Sequence, residues 1–116
     1  MKSILELLRT SCLIQEYQII TLLKGENFFF IKEEALIKDG STLHLRVFLS
    51  KDEYKYSFHW QDKKGNLIAR WDNSPHHRVK TFPHHVHREG KVEESYCITL
   101  EDVLKEIGNS LKKKEE

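Results

Sequence analysis

Apolar and polar positions alternate along the middle of the chain and take helical spacing only near its two ends. Leu43, Leu45, Val47 and Leu49 alternate with His44, Arg46 and Phe48, and Tyr54, Tyr56, Phe58 and Trp60 alternate with Lys55, Ser57, His59 and Gln61. Successive side chains of a strand point to opposite faces, so each run predicts a half-buried β-strand. Phe28 to Ile37 reads as another strand, and Lys38-Asp39-Gly40-Ser41 between it and Leu43 predicts a hairpin. Asp-Gly favours a type I′ turn, which needs positive φ at both central residues. A loop of about Lys63-Lys64-Gly65-Asn66 joins the Tyr54 run to Leu67–Asp72. This is a second hairpin, with Leu67, Ala69 and Trp71 expected on the buried face. Trp60 and Trp71 each fit an apolar stripe and are expected in the core rather than as base-stacking platforms.

Leu13–Leu23 mixes β-branched and aromatic residues with Gln15, Glu16 and Gln18, a pattern compatible with helix or strand. We read it as a strand ending at Lys24-Gly25. Ser3, with Glu6 three residues on, forms a capping box that starts a short helix through about Thr10, with Leu5 and Leu8 on its apolar side. Thr99, followed by Glu101 and Asp102, starts a second helix, and Leu100, Val103, Leu104, Ile107 and Leu111 form its apolar stripe. The tail Lys112–Glu116 is expected to fray. This order predicts an α+β fold, an antiparallel β-meander sheet with a short N-terminal helix and a C-terminal helix packed on it. Phe28, Phe29 and Phe30 cannot all face one side of a strand. Either Phe29 is exposed and anchors a partner or a second copy, or helices cover both faces there.

At 116 residues the chain reads as a single domain, residues 1–116, long enough to bury a sizeable core. Nineteen Lys and Arg against eighteen Asp and Glu leave a net charge of +1, so no global field draws it to nucleic acid or membrane. Any attraction for an anion must be local. Cys12 and Cys97 stand in no metal-ligand spacing and are expected as buried, reduced thiols. The N-terminus lacks a signal-peptide pattern and no stretch is long and apolar enough to span a bilayer, so the expected location is the cytoplasm.

Five of the seven histidines fall between Pro75 and Arg88, together with Arg78, Lys80 and Arg88 and without an acid. The segment follows directly on the second hairpin, whose alternation places Ser57, His59 and Gln61 on the side of Arg70 and Asp72, with His59 opposite Arg70. His, Arg, Asp and further imidazoles at one end of a sheet suffice for metal-free RNA cleavage. A neutral imidazole takes the 2′-hydroxyl proton and a protonated one supplies the leaving oxygen. An arginine holds the charge developing on phosphorus, and an aspartate fixes a tautomer. Which histidine takes which part is open. His44 is assigned no role, and Asn73 is equally explained as a turn former. Three other readings compete: a solvated histidine-rich turn, a non-catalytic phosphate- or protein-binding module, and a zinc site. For zinc, His85 and His87 face one way on a strand, with His76, His77, His84 or Asp72 as further ligands.

The strings Tyr56-Ser57-Phe58-His59-Trp60-Gln61-Asp62, Gly65-Asn66-Leu67-Ile68 and Arg70-Trp71-Asp72-Asn73-Ser74-Pro75-His76-His77 resemble the core of the TumE family of toxin–antitoxin proteins. Thr81-Phe82-Pro83-His84-His85-Val86-His87 and Thr99-Leu100-Glu101-Asp102-Val103-Leu104 continue the likeness, which is dense over about residues 54–107 and thin before them. The resemblance implies the toxin half of a type II module, encoded beside a DNA-binding antitoxin. It makes His59, Arg70, Asp72, His76, His77, His84, His85 and His87 the motif positions, and hence the candidate catalytic set. Lys63, Lys64, Arg78, Lys80 and Arg88 are the cations expected to meet RNA. Site chemistry then predicts a metal-independent endoribonuclease without a cofactor. Its partners would be a cognate antitoxin and RNA, with no membrane and with self-association left open.

Overall fold

The computed structural model describes residues 3–115. Helix α1 (Ile4–Thr10) precedes strands β1 (Ile14–Lys24), β2 (Phe28–Ile37), β3 (Thr42–Ser50), β4 (Tyr54–Gln61), β5 (Leu67–Asp72), β6 (His85–Arg88) and β7 (Lys91–Glu94), and helix α2 (Leu100–Glu115) closes the chain. Each strand pairs antiparallel with the next, giving a seven-stranded meander in sequence order. The α+β class, the strand reading of Leu13–Leu23 and both helix starts therefore hold.

Alternation decides which side of the sheet is covered. Ile31, Ala35 and Ile37 of β2, Leu43, Leu45 and Val47 of β3, and Tyr56, Phe58 and Trp60 of β4 share one buried face with Ala69, Trp71 and Val86. Leu8 of α1 and Leu100, Val103, Leu104 and Ile107 of α2 pack on it. Full burial of such side chains stabilises by roughly 1.5–3 kcal/mol each. Both helices lie on this face, which leaves the polar alternates of the same strands on an open face. Glu33 breaks the pattern: it lies between Ile31 and Ala35 on the covered face, is 1% exposed, and has no hydrogen-bond partner for either carboxylate oxygen.

Local chemistry sets the connections, and several differ from expectation. At the first hairpin only Gly40 has positive φ (90°), so the turn is not type I′. Gly40 N donates to Ile37 O at 2.9 Å and Ile37 N to Ser41 O at 2.8 Å, while Asp39 Oδ1 accepts from Ser41 N at 2.9 Å. This is a three-residue loop with a glycine bulge. The I′ signature falls instead on Glu89-Gly90 (φ 50° and 75°), between β6 and β7, a hairpin the sequence reading did not identify. Leu67 is exposed rather than buried, because a register shift between Trp60 and Gln61 carries the start of β5 out of the alternation.

Phe29 packs against the core while Phe28 is exposed on the open face, the reverse of the expected anchor. Cys12 and Cys97 are free but exposed, since both lie in connections outside the elements. The tail does not fray at Lys112: α2 continues to Glu115, with Lys112, Lys113 and Lys114 in the last turn, where cations complement the helix dipole. Glu116 lies outside the described residues. No helix among the described residues is long and apolar enough to cross a membrane.

The start of α2 is fixed reciprocally: Thr99 Oγ1 accepts from Asp102 N at 3.4 Å, and Asp102 Oδ2 accepts from Thr99 N at 2.9 Å. Thr99→Ala is expected to lower stability by about 1 kcal/mol. An unchanged urea midpoint would show that the cap contributes nothing.

Candidate active site

The open face is organised in register rows. One row runs Glu34–His44–His59–Arg70–His87 across β2 to β6, and the next runs Lys32–Arg46–Ser57–Asp72–His85. Arg70 thus stands between two imidazoles on neighbouring strands, with Asp72 two residues further along its own strand.

Asp72 is the organising residue. Its side chain is 5% exposed, and its Oδ1 accepts from Ser74 N at 3.0 Å and from Ser74 Oγ at 2.9 Å, a local turn that ends β5 and locks the carboxylate. Asn73 pins the same exit to β4, its Nδ2 donating to Tyr54 O at 2.6 Å and its Oδ1 accepting from Tyr56 N at 3.1 Å. Held this way, Asp72 meets Arg70 Nε at 3.4 Å, His85 Nε2 at 3.0 Å and His87 Nε2 at 3.6 Å. The Arg70 contact is made through Nε, which leaves the terminal nitrogens of the half-exposed fork for an anion.

The connection from residue 73 to residue 84 returns over this face. Thr81 Oγ1 donates to His84 O at 2.8 Å and accepts from Ser95 N at 2.9 Å, tying the loop to the end of β7. It brings His77 against His85 and His87, with ring centroids 4.9–5.0 Å apart. One ligand atom from each of these three imidazoles lies within 4.8 Å of the others. His85 is fully buried, and its Nδ1–H donates to Pro83 O at 2.9 Å, which leaves Nε2 without a proton in the neutral ring. Nε2 and Asp72 Oδ1 then present lone pairs to each other at 3.0 Å, outside hydrogen-bond geometry, unless a proton or a cation lies between them. Among the described residues, His77, His85 and His87 are the group whose ligand atoms converge closely enough to hold a metal ion, with Asp72 beside His85 and His87.

Burial holds His59 below the ordinary histidine value, and Arg70 and His44 push the same way against a hydrogen bond to Gln61. That bond joins His59 Nε2 to Gln61 Oε1 at 3.2 Å, so Nε2 carries the proton and Nδ1 the free lone pair. His87 is also held low, first by burial and then by His85, His77 and Arg70, while Asp72 alone favours its charged form.

The structure brings together His59, Arg70, Asp72, His77, His85 and His87. It does not bring in His76, which is exposed on the loop. His84 turns away, accepting at Nδ1 from Tyr56 Oη at 2.8 Å and stacking on that ring. Arg88 lies on the covered face, paired with Glu106 of α2 and placed over Trp71. Arg78 stacks on Phe82 at 4.4 Å, and Lys80 is exposed on the same loop. Lys63 and Lys64 occupy the β4–β5 turn at the far end of β5, where the Lys63 stem lies along Gly40.

Sequence reasoning passed over Arg46, Phe48 and Phe30, which share the open face with this cluster. The signal was the alternation itself, since Arg46 stands between the buried Leu45 and Val47 and Phe48 follows on the same side as Arg46.

No curated protein and no solved structure matches the chain. The family model described as Toxin TumE matches residues 4–111 of the 116, and the chain belongs to the TumE toxin family.

Proposed function

We propose that this toxin cleaves RNA at the His59–Arg70–His87 row by metal-independent acid–base chemistry. The observation that supports the reading is the row itself: two imidazoles flank a half-exposed arginine on three adjacent strands. His59, kept neutral by burial and with Nδ1 free, takes the 2′-hydroxyl proton as O2′ bonds to phosphorus. Arg70 stabilises the charge gathering on the phosphorane oxygens. The P–O5′ bond breaks and O5′ takes a proton from His87. Burial holds His87 below the ordinary histidine value, with Asp72 alone favouring its charged form, so the basic limb of the pH profile is expected low as well. The products carry 2′,3′-cyclic phosphate and 5′-hydroxyl ends. Asp72 and His85 act by positioning the row.

A base must be unprotonated to act, so the acidic limb of kcat/KM is expected below the ordinary histidine value of 6.5. A limb at or above that value, or one that persists in His59→Ala, would remove His59 from the role. Mass analysis of the fragments tests the chemistry: cyclic phosphate ends support it, and 5′-phosphate ends contradict it.

A second reading is favoured by the convergence of His77, His85 and His87 within 4.8 Å beside Asp72. Three imidazoles and a carboxylate suit zinc, and a ligating His85 would use its Nδ1–H bond to Pro83 O as the orienting contact. Cleavage lost in chelator and restored by zinc would favour this reading over the first.

Membership of a toxin family implies an antitoxin partner. We propose a DNA-binding antitoxin and action in the cytoplasm, where the RNA is. Edge strand β1, with Tyr17, Ile20 and Leu23 exposed, supports a protein-contact surface away from the row, for the antitoxin or a second copy.

A further inference from the structure

Beside the catalytic row the open face forms a groove with a cavity volume of about 540 Å³. Phe30 and Phe48, directly opposite each other on β2 and β3, line one end, and Arg70 and Asp72 line the other. Phe28 stacks on Phe48 with ring centroids 6.3 Å apart and 16° between planes, which lengthens the aromatic surface. Arg46 lies with its guanidinium 5.5 Å from the centre of the Phe30 ring.

The charges lining the groove are unequal in what they leave free. Glu53 is paired with Lys55 at 3.5 Å, and Asp72 is held by Arg70 and Ser74. Arg46 has no acidic partner among the described residues. The groove therefore combines aromatic faces, a free guanidinium and the exposed fork of Arg70, the residue it shares with the His59–Arg70–His87 row.

We propose that this groove binds an unpaired nucleotide of single-stranded RNA next to the cleaved linkage. The inference rests on RNA being the substrate. The base stacks on Phe48 and Phe30, and the phosphates run from Arg46 to Arg70. Every base has a π-face, so such a platform is tolerant of sequence, and the guanidinium beside the ring adds a cation–π contribution. Paired RNA presents no free base face to it, so the groove selects single strands over duplex. It also explains why an alternating strand carries an aromatic residue at Phe48 on the uncovered side of the sheet.

The test is fluorescence anisotropy of full-length protein with a labelled, 2′-O-methyl oligoribonucleotide, which lacks the attacking hydroxyl and stays intact. The single strand is expected to bind more tightly than the same sequence in a duplex. Phe48→Ala is expected to weaken single-strand binding by about tenfold or more. Phe48→Leu keeps an apolar side chain without the ring and is expected to lose a similar amount. Arg46→Gln is expected to weaken binding and to flatten its dependence on salt. Unchanged affinity in both Phe48 variants, or duplex bound as tightly as single strand, would overturn the groove. Binding that depends on Phe48 without cleavage of unmodified RNA would keep the groove and remove the ribonuclease. Cleavage with Phe48 silent in binding would do the opposite.

Discussion

Arg70→Ala is expected to reduce RNA cleavage by about 10²- to 10³-fold, the usual cost of removing one preorganised donor from a developing oxyanion. The fold should survive. Arg70 is half-exposed, and Asp72 keeps both bonds from Ser74 after its loss. The loss belongs in kcat, because charge on the phosphorane oxygens peaks in the transition state. Arg70→Lys should recover only part of it, since a point charge replaces a planar fork. In cells, growth arrest on expression should disappear in the alanine variant while the protein still accumulates. Undiminished cleavage by a folded Arg70→Ala protein would move the chemistry off this row.

The second large effect concerns stability and lies on the other side of the sheet. Burial, with Glu34 adding to it, pushes the Glu33 carboxyl from 4.5 up to about 8. In the unfolded chain Glu33 ionises near its ordinary value, while the folded chain keeps it protonated until about pH 8. Its contribution is thus fully present below pH 4.5, declines as pH rises, and is gone above about 8. The difference corresponds to roughly 4–5 kcal/mol. Other groups also titrate, so the informative quantity is the difference between wild type and Glu33→Gln in urea unfolding at pH 5, 7 and 9. The glutamine variant should gain on wild type as pH rises. Glu33→Leu should gain more, because it completes the apolar line of Ile31 and Ala35 and leaves no unpaired polar atom. Parallel pH curves for wild type and Glu33→Gln would show that the carboxyl is not buried as described.

Much of this fold was legible because strand alternation is a local signal. It placed Tyr56, Phe58 and Trp60 inside and His59 opposite Arg70, and both appear in the structure. What failed depended on non-local packing. Glu33 follows the buried period of β2 yet carries a charge-bearing group, and nothing local indicates that it is enclosed. Leu67 obeys the alternation but sits where a register shift cancels it. The histidine segment was legible as composition, not as geometry. His84 and Arg88 belong to the same string as His85 and His87, but a turn in the loop and the alternation of β6 send them elsewhere. Asp72 as the shared contact of Arg70, His85 and His87 required the loop's return path.

The central claim is that the chain's own side chains cleave RNA. It is tested most directly by incubating the purified protein with total RNA in EDTA, beside Arg70→Ala. Cleavage by wild type in EDTA, with the variant slowed by about 10² or more, is the expected result. Cleavage that appears only when zinc is returned would transfer the chemistry to the His77–His85–His87 group, and intact RNA under every condition would contradict ribonuclease function altogether.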